Sequence, residues 1–204
     1  MASAIENEKI TLTYFQEISA RGQFVTAILD IIGRKYELKS IPHGKWETEK
    51  LNTPFGVLPV LDVDGKKIGG TVTIARFVAE RYGKGKLDQE SDPFISAYYE
   101  GQADISNEIL VKLYTYSFAK EEEKEDKRKA FESYAKDKLS FLEKSIKPGG
   151  SFQGKEGKLT WSEIVISSLL RDIRSVYPNH EEVLKEFPNL RAMCENICRL
   201  LPKK

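Results

Sequence analysis

Cysteine and histidine are scarce, with two of each in 204 residues. Cys194 and Cys198 stand four apart in a helical pattern, too few for a disulfide framework and without histidines at zinc-ligand spacing, so both are expected to be reduced helix residues with no metal role. An excess of either charge is also missing. Lys and Arg total 32 against 31 Asp and Glu, a formal charge of +1, split as 12 basic and 10 acidic up to residue 85 and 20 and 21 beyond it. Without a basic arm or acidic tail, nucleic acid and anionic membrane are poor candidates as partners. No stretch reaches the roughly 18 uninterrupted apolar residues of a membrane span, and "MASAIENEKI" carries neither the basic nor the apolar region of a secretory leader. A cytoplasmic protein is expected. At 40% apolar and 31% charged residues the chain has the composition of one or two globular domains.

Two patterns divide the chain. "KITLTYF" alternates and is rich in β-branched and aromatic residues, as a strand is, and "QFVTAILDIIG" follows with helical apolar spacing and a glycine stop at Gly33. "KYELKSI" reads as a second strand, "VLPVLDVDGKKIGG" as a hairpin turning at Asp64-Gly65, and "TVTIARFVAERYG" as a helix ending at Gly83. This order of β-α-β, hairpin and helix predicts a small α/β domain over residues 1–84 with one mixed sheet covered by helices. A polar stretch with Gly and Pro, residues 85–92, reads as a linker. Residues 93–204 show only helical spacing, with Phe131, Tyr134, Leu142 and Ile146 along one face of one helix and a charged run, "AKEEEKEDKRK", read as a solvated helix end and loop. Thr160 followed by Glu163 is a capping box, and Trp161, Ile164, Val165, Leu169 and Ile173 form an apolar stripe behind it.

Pro59 interrupts an apolar strand-like run, where it cannot donate a ladder hydrogen bond. Such a proline has a use when its peptide bond is cis: the residue before it, Leu58, turns its backbone outward to pair with a peptide-like ligand. With "LTYF" before it and "IARFVAERYG" after it, "TPFGVLPVLDVDGK" resembles the thioredoxin-like domain of a cytosolic glutathione transferase. "LTWSEI" and "FPNLRAMCENICRLLP" are similar to the capping box and last long helix of that family, so the resemblance runs from about residue 9 to about residue 202. Trp46 and Lys50, placed before "TPFG", are most similar to the sigma class, to which invertebrate transferases, haematopoietic prostaglandin D synthase and S-crystallins belong.

The resemblance implies an α/β thioredoxin-like N-terminal domain plus an all-α C-terminal domain. It also implies glutathione as co-substrate without a further cofactor, a small apolar electrophile as second substrate, and a homodimer. Tyr14 would be the catalytic hydroxyl that stabilises the glutathione thiolate, with Arg21 near the sulfur. Trp46 and Lys50 would bind the glycine end, Leu58 would pair through its backbone, and Pro59 would be the cis residue. Thr71, in place of the family's serine, would hold the γ-glutamyl carboxylate at a helix N-terminus, where N–H groups favour an anion. Asp104 would reach the glutathione amino group of a partner subunit.

The sequence departs from the family pattern in three places. Gly70 stands where the family has a glutamine that also clasps the γ-glutamyl group, the loop between Tyr14 and Arg21 is one residue longer, and the chain ends at "LLPKK" without the usual tail. If the longer loop absorbs the extra residue, Tyr14 is in place; if the strand slips, Phe15 replaces it, and Ile10 and Leu12 argue for Tyr14. Conjugation of glutathione to apolar electrophiles is the expected activity, with prostaglandin endoperoxide isomerisation as a variant. The alternative is a non-catalytic carrier or structural protein of the S-crystallin type. A thiol–disulfide oxidoreductase is disfavoured because residues 16 to 21 hold no cysteine.

Overall fold

The computed structural model describes residues 5–16 and 20–202. Its N-terminal half runs β1 (Ile10–Phe15), α1 (Arg21–Ile32), β2 (Glu37–Ile41), a short α2 (Trp46–Glu49), β3 (Val60–Val63), β4 (Lys66–Gly69) and α3 (Thr71–Tyr82). The strands form one mixed sheet in the order β2-β1-β3-β4, with β1 and β2 parallel and the other neighbours antiparallel. Alternation in β1 decides the register: Ile10, Leu12 and Tyr14 are buried while Thr11, Thr13 and Phe15 are only partly covered. Leu12 and its partner Leu61 meet Phe24 and Ile28 of α1 and Ile74 and Val78 of α3 in one core. The hairpin turns where expected, with Asp64 at φ 49° and Gly65 at φ 84°, the left-handed pair of a two-residue hairpin loop. Gly33, at φ 71°, ends α1.

The second half is all helix: α4 (Pro93–Ser117), α5 (Glu121–Ser145), α6 (Trp161–Val176), α7 (His180–Leu184) and α8 (Pro188–Cys198). Asp92 caps α4 by accepting the Phe94 N–H at 2.8 Å, with Pro93 in the first turn. The charged run starts α5 within itself, and Glu121, Glu122 and Glu123 occupy the turn where the helix dipole favours acids. The core face of α5 carries Phe131, Ala135, Leu139 and Leu142, with Tyr134 at its margin. α6 is the central helix, and its capping box is complete: Glu163 N–H donates to Thr160 Oγ1 at 3.3 Å and Thr160 N–H to the Glu163 carboxylate at 2.9 Å.

The polar stretch read as a linker, residues 85–92, is partly buried. Leu87 packs in the core, and Asp88 is covered, its N–H donating to the Leu159 carbonyl at 2.8 Å, so the connection is tied to the helical half. α1 also packs on α6, and α3 on α4, giving the two halves a shared interior. Cys194 is buried and Cys198 exposed, both as free thiols of α8. Among the described residues no helix is long and apolar enough to cross a membrane.

Candidate active site

Strand pairing gathers three distant segments at one end of the sheet. Thr13 pairs with Val60, and Val60 with Gly69. The next residues on these strands, Tyr14, Pro59 and Gly70, therefore share that end. The Leu58–Pro59 bond is cis, and among the described residues the Leu58 backbone makes no hydrogen bond. Gly70 takes φ 98° and ψ 124°, a region that favours glycine, and immediately precedes α3. Thr71 then opens the helix and is buried, beside N–H groups that have no partner within the helix.

A cleft of about 640 Å³ separates this end from α4. Tyr14, Arg21, Trp46 and Leu58 line its sheet side, and Leu110, Val111, Tyr114 and Phe118 its helical side. Trp46 meets the Phe15 ring edge-on at 5.5 Å, and Phe15 stacks on His43 at 4.3 Å, so both aromatic residues are held between the sheet end and α2. Tyr14, Ile41, Leu58 and Val60 form a small cluster of their own beneath them.

Burial raises the Tyr14 hydroxyl pKa above the ordinary phenol value, and the Asp172 carboxylate adds to the rise. The Arg21 charge and the backbone N–H groups of Gly22 and Arg21, which face the phenol oxygen, oppose it. Gly22 lies against the ring itself: a Cβ there would come within 2.9 Å of Tyr14 Cδ1, so the glycine permits the close approach.

The chain as a whole is similar to known proteins. Residues 103–200 match the family model described as the glutathione S-transferase C-terminal domain. A Caenorhabditis elegans protein named probable glutathione S-transferase 6 is 30% identical over 164 residues, covering 79% of this chain and 79% of its own length. The chain belongs to the glutathione S-transferase family. Among solved glutathione S-transferases, the monomeric Na-GST-3 of the hookworm Necator americanus aligns with a TM-score of 0.74 at 26% identity, covering 94% of this chain and 92% of that one. A sigma class GST of Fasciola hepatica has the same fold, with a TM-score of 0.76 at 21% identity over 95% of this chain and 92% of that one.

Within this glutathione S-transferase fold the cleft brings together Tyr14, Arg21, Trp46 and Leu58, with Pro59, Gly70 and Thr71 at the same sheet end. Lys50 follows α2 and is ion-paired with Glu47. Asp104 lies apart from them on the exposed side of α4, where burial and the neighbouring Glu100 and Glu108 raise its pKa. Residues 17–19, within the longer loop between Tyr14 and Arg21, lie outside those described. Sequence reading missed Gly22, Ala20, Tyr114 and Asp172. Only Asp172 left a signal, as an acid that falls on the apolar stripe of its helix beside Leu169 and Ile173.

Proposed function

We propose that this protein is a sigma-like transferase that conjugates glutathione to small apolar electrophiles. One observation carries the reading: a hydroxyl, a Leu58 backbone with no hydrogen bond among the described residues and a helix N-terminus meet at one sheet end, opposite an apolar wall. A free thiol has pKa near 8.5, and a donated hydrogen bond and a nearby cation both favour its thiolate. Tyr14 O–H would donate to the glutathione sulfur, with the Arg21 guanidinium beside it. Gly22 lies against the Tyr14 ring, so the start of α1 fixes the orientation in which the phenol would meet the sulfur. The thiolate sulfur then forms a bond to an electrophilic carbon lying against Leu110, Val111 and Phe118, and a leaving group or a π-electron pair departs from that carbon.

Trp46 and Lys50 are assigned to the glycine end, the Leu58 backbone before Pro59 to the cysteinyl part, and Thr71 with Gly70 to the γ-glutamyl carboxylate. Asp104 is assigned to the glutathione of a second copy. The homodimer is supported by exposed apolar side chains, with Phe55 at 73% and Phe94 at 80%, and by a groove between α4 and α5 lined by Tyr98, Ile105 and Phe141. The monomeric hookworm Na-GST-3 exemplifies the other outcome, in which Asp104 has no such role; sedimentation of the purified chain separates the two. Residues 1–84 and 93–204, joined through 85–92, are read as the two domains. A cytoplasmic detoxifying role belongs to the same proposal, and endoperoxide isomerisation is its narrower variant.

The test is calorimetric titration with glutathione beside turnover of a chloro-dinitrobenzene, run on the wild type and Tyr14→Phe. Binding with turnover that drops in Tyr14→Phe supports the assignment. Absence of binding overturns it in favour of a carrier or structural protein.

A further inference from the structure

The roles above leave one buried acid unused. Asp172 is 1% exposed on α6, and a buried carboxylate normally has partners. Its Oδ1 accepts the Ala20 N–H at 3.3 Å and the Tyr114 O–H at 3.2 Å, while Oδ2 is buried with no hydrogen-bond partner among the described residues. The two donors belong to opposite walls of the cleft, since Ala20 immediately precedes α1 and Tyr114 lies on α4. Ala20 also has φ 53°, a left-handed conformation that a residue with a Cβ adopts only when its surroundings hold it there. The next two residues, Arg21 and Gly22, supply the N–H groups that face Tyr14.

We infer that Asp172 is a positioning residue for the transferase reaction: it clamps Ala20 and Tyr114 together, holding the left-handed turn that aims the Arg21 and Gly22 N–H groups at Tyr14. The inference rests on the proposed role of Tyr14. With the clamp in place, the start of α1 is fixed against the Tyr14 ring and the phenol keeps one orientation towards the sulfur. Without it, Ala20 relaxes towards an ordinary conformation, the start of α1 turns, and Tyr14 loses its fixed rotation. The same carboxylate fixes the Tyr114 hydroxyl on the wall where the electrophile would lie.

The groups facing Asp172 are Arg171 on its own helix, Tyr114 on α4 and Tyr14 on β1. Burial pushes the Asp172 carboxyl up to about 6, against the opposing effects of the Ala20 N–H, the Tyr114 hydroxyl and Arg171. The clamp is therefore charged at pH 7.5 and loses its charge as pH falls through about 6, which predicts an acidic limb in kcat.

The experiment compares the wild type with Asp172→Ala, Asp172→Asn, Asp172→Glu and Tyr14→Phe in the full-length chain. Asp172→Ala is expected to lower kcat on the order of 100-fold, the effect of a misplacement of about 1 Å, with the glutathione KM unchanged. Asn keeps an acceptor oxygen but no charge, so it should lower kcat by about tenfold and remove the acidic limb near pH 6. Glu should recover part of the loss. Backbone hydrogen exchange at residues 20–22 reads the clamp without catalysis, and it should speed up in Asp172→Ala while exchange in the rest of α1 stays slow.

Unchanged kcat in a folded Ala variant, a change confined to KM, or an acidic limb that persists in Asn overturns the inference. If Ala does not fold, the Asn profile decides. A wild type without turnover, or turnover indifferent to Tyr14→Phe, overturns the functional reading instead, and the exchange result still judges the clamp.

Discussion

The two walls of the cleft are built by different means. On the sheet side the lining residues Tyr14, Arg21 and Leu58 are set by backbone next to them: a left-handed Gly70 before a helix at the same sheet end and a glycine pressed on the tyrosine ring. On the helical side one face of α4 presents Leu110, Val111 and Tyr114, and Phe118, the residue that follows the helix, continues it at 80% exposed. A carboxylate and a thiolate need N–H donors and a hydroxyl at fixed positions, which demands particular torsions. An apolar electrophile needs only covered area, which many side chains supply. The sheet wall is accordingly intolerant of small changes and the helical wall tolerant of large ones.

The sharpest way to break that contrast is Tyr14→Phe. Removal of one donor aimed at a developing or stabilised anion costs about 10²–10³ in kcat, while glutathione affinity, carried by other groups, should stay within about threefold by calorimetry. A fall in affinity equal to that in turnover would place Tyr14 in binding instead.

Asp172, which joins the two walls, should reveal itself in stability. Its carboxyl rises from 3.8 to about 6 in the folded protein, so the fold holds the proton more tightly than the unfolded chain. That contribution is full below about pH 4 and is lost as pH rises through 6. Asp172→Asn has no such loss, so its stability relative to the wild type should improve by up to about 3 kcal/mol between pH 4 and pH 7, at 1.36 kcal/mol for each tenfold change. Parallel denaturation profiles for the two proteins would contradict this. A variant that gains relative stability from pH 4 to pH 7 yet turns over more slowly is the combination expected of a group kept for its work.

Gly22→Ala tests the torsion argument directly. The added carbon meets the Tyr14 ring at 2.9 Å, so ring or helix must shift, lowering turnover by roughly 10- to 100-fold and stability by about 1–3 kcal/mol. Gly101→Ala is its counterpart on α4, where nothing lies within 4 Å, and should stabilise by about 0.5–1 kcal/mol with turnover unchanged. Smallest is Phe118→Ala on the tolerant wall: with the ring mostly in water, the electrophile KM should rise by less than about fivefold and kcat should hold, as measured by steady-state kinetics.

Legibility in the sequence follows the range of the interactions. The hairpin at Asp64-Gly65 and the Thr160-Glu163 box obey rules spanning four residues or fewer, and both formed as read. Alternation of Ile10 and Leu12 was enough to choose Tyr14 over Phe15 for the buried row. Ala20 had no such signal, because its left-handed turn is held by Asp172, 152 residues away. Gly22 is set apart only by its contact with the Tyr14 ring, which joins two elements and leaves no local pattern. The burial of Leu87 and Asp88 escaped composition too, since a polar stretch gives no sign of the carbonyl at Leu159 that fixes it.

Gly70 has a further consequence for how this chain changes over time. Its φ of 98° suits a residue without a side chain, and a Cβ there would sit 3.3 Å from the Thr73 hydroxyl. Any longer residue arriving at this position is screened first by whether the turn before α3 still forms, and only afterwards by what its new atoms grip. A useful side chain at 70 therefore has to arrive after, or together with, a neighbouring change that makes room for it, so the history of this corner depends on the order in which its substitutions occur.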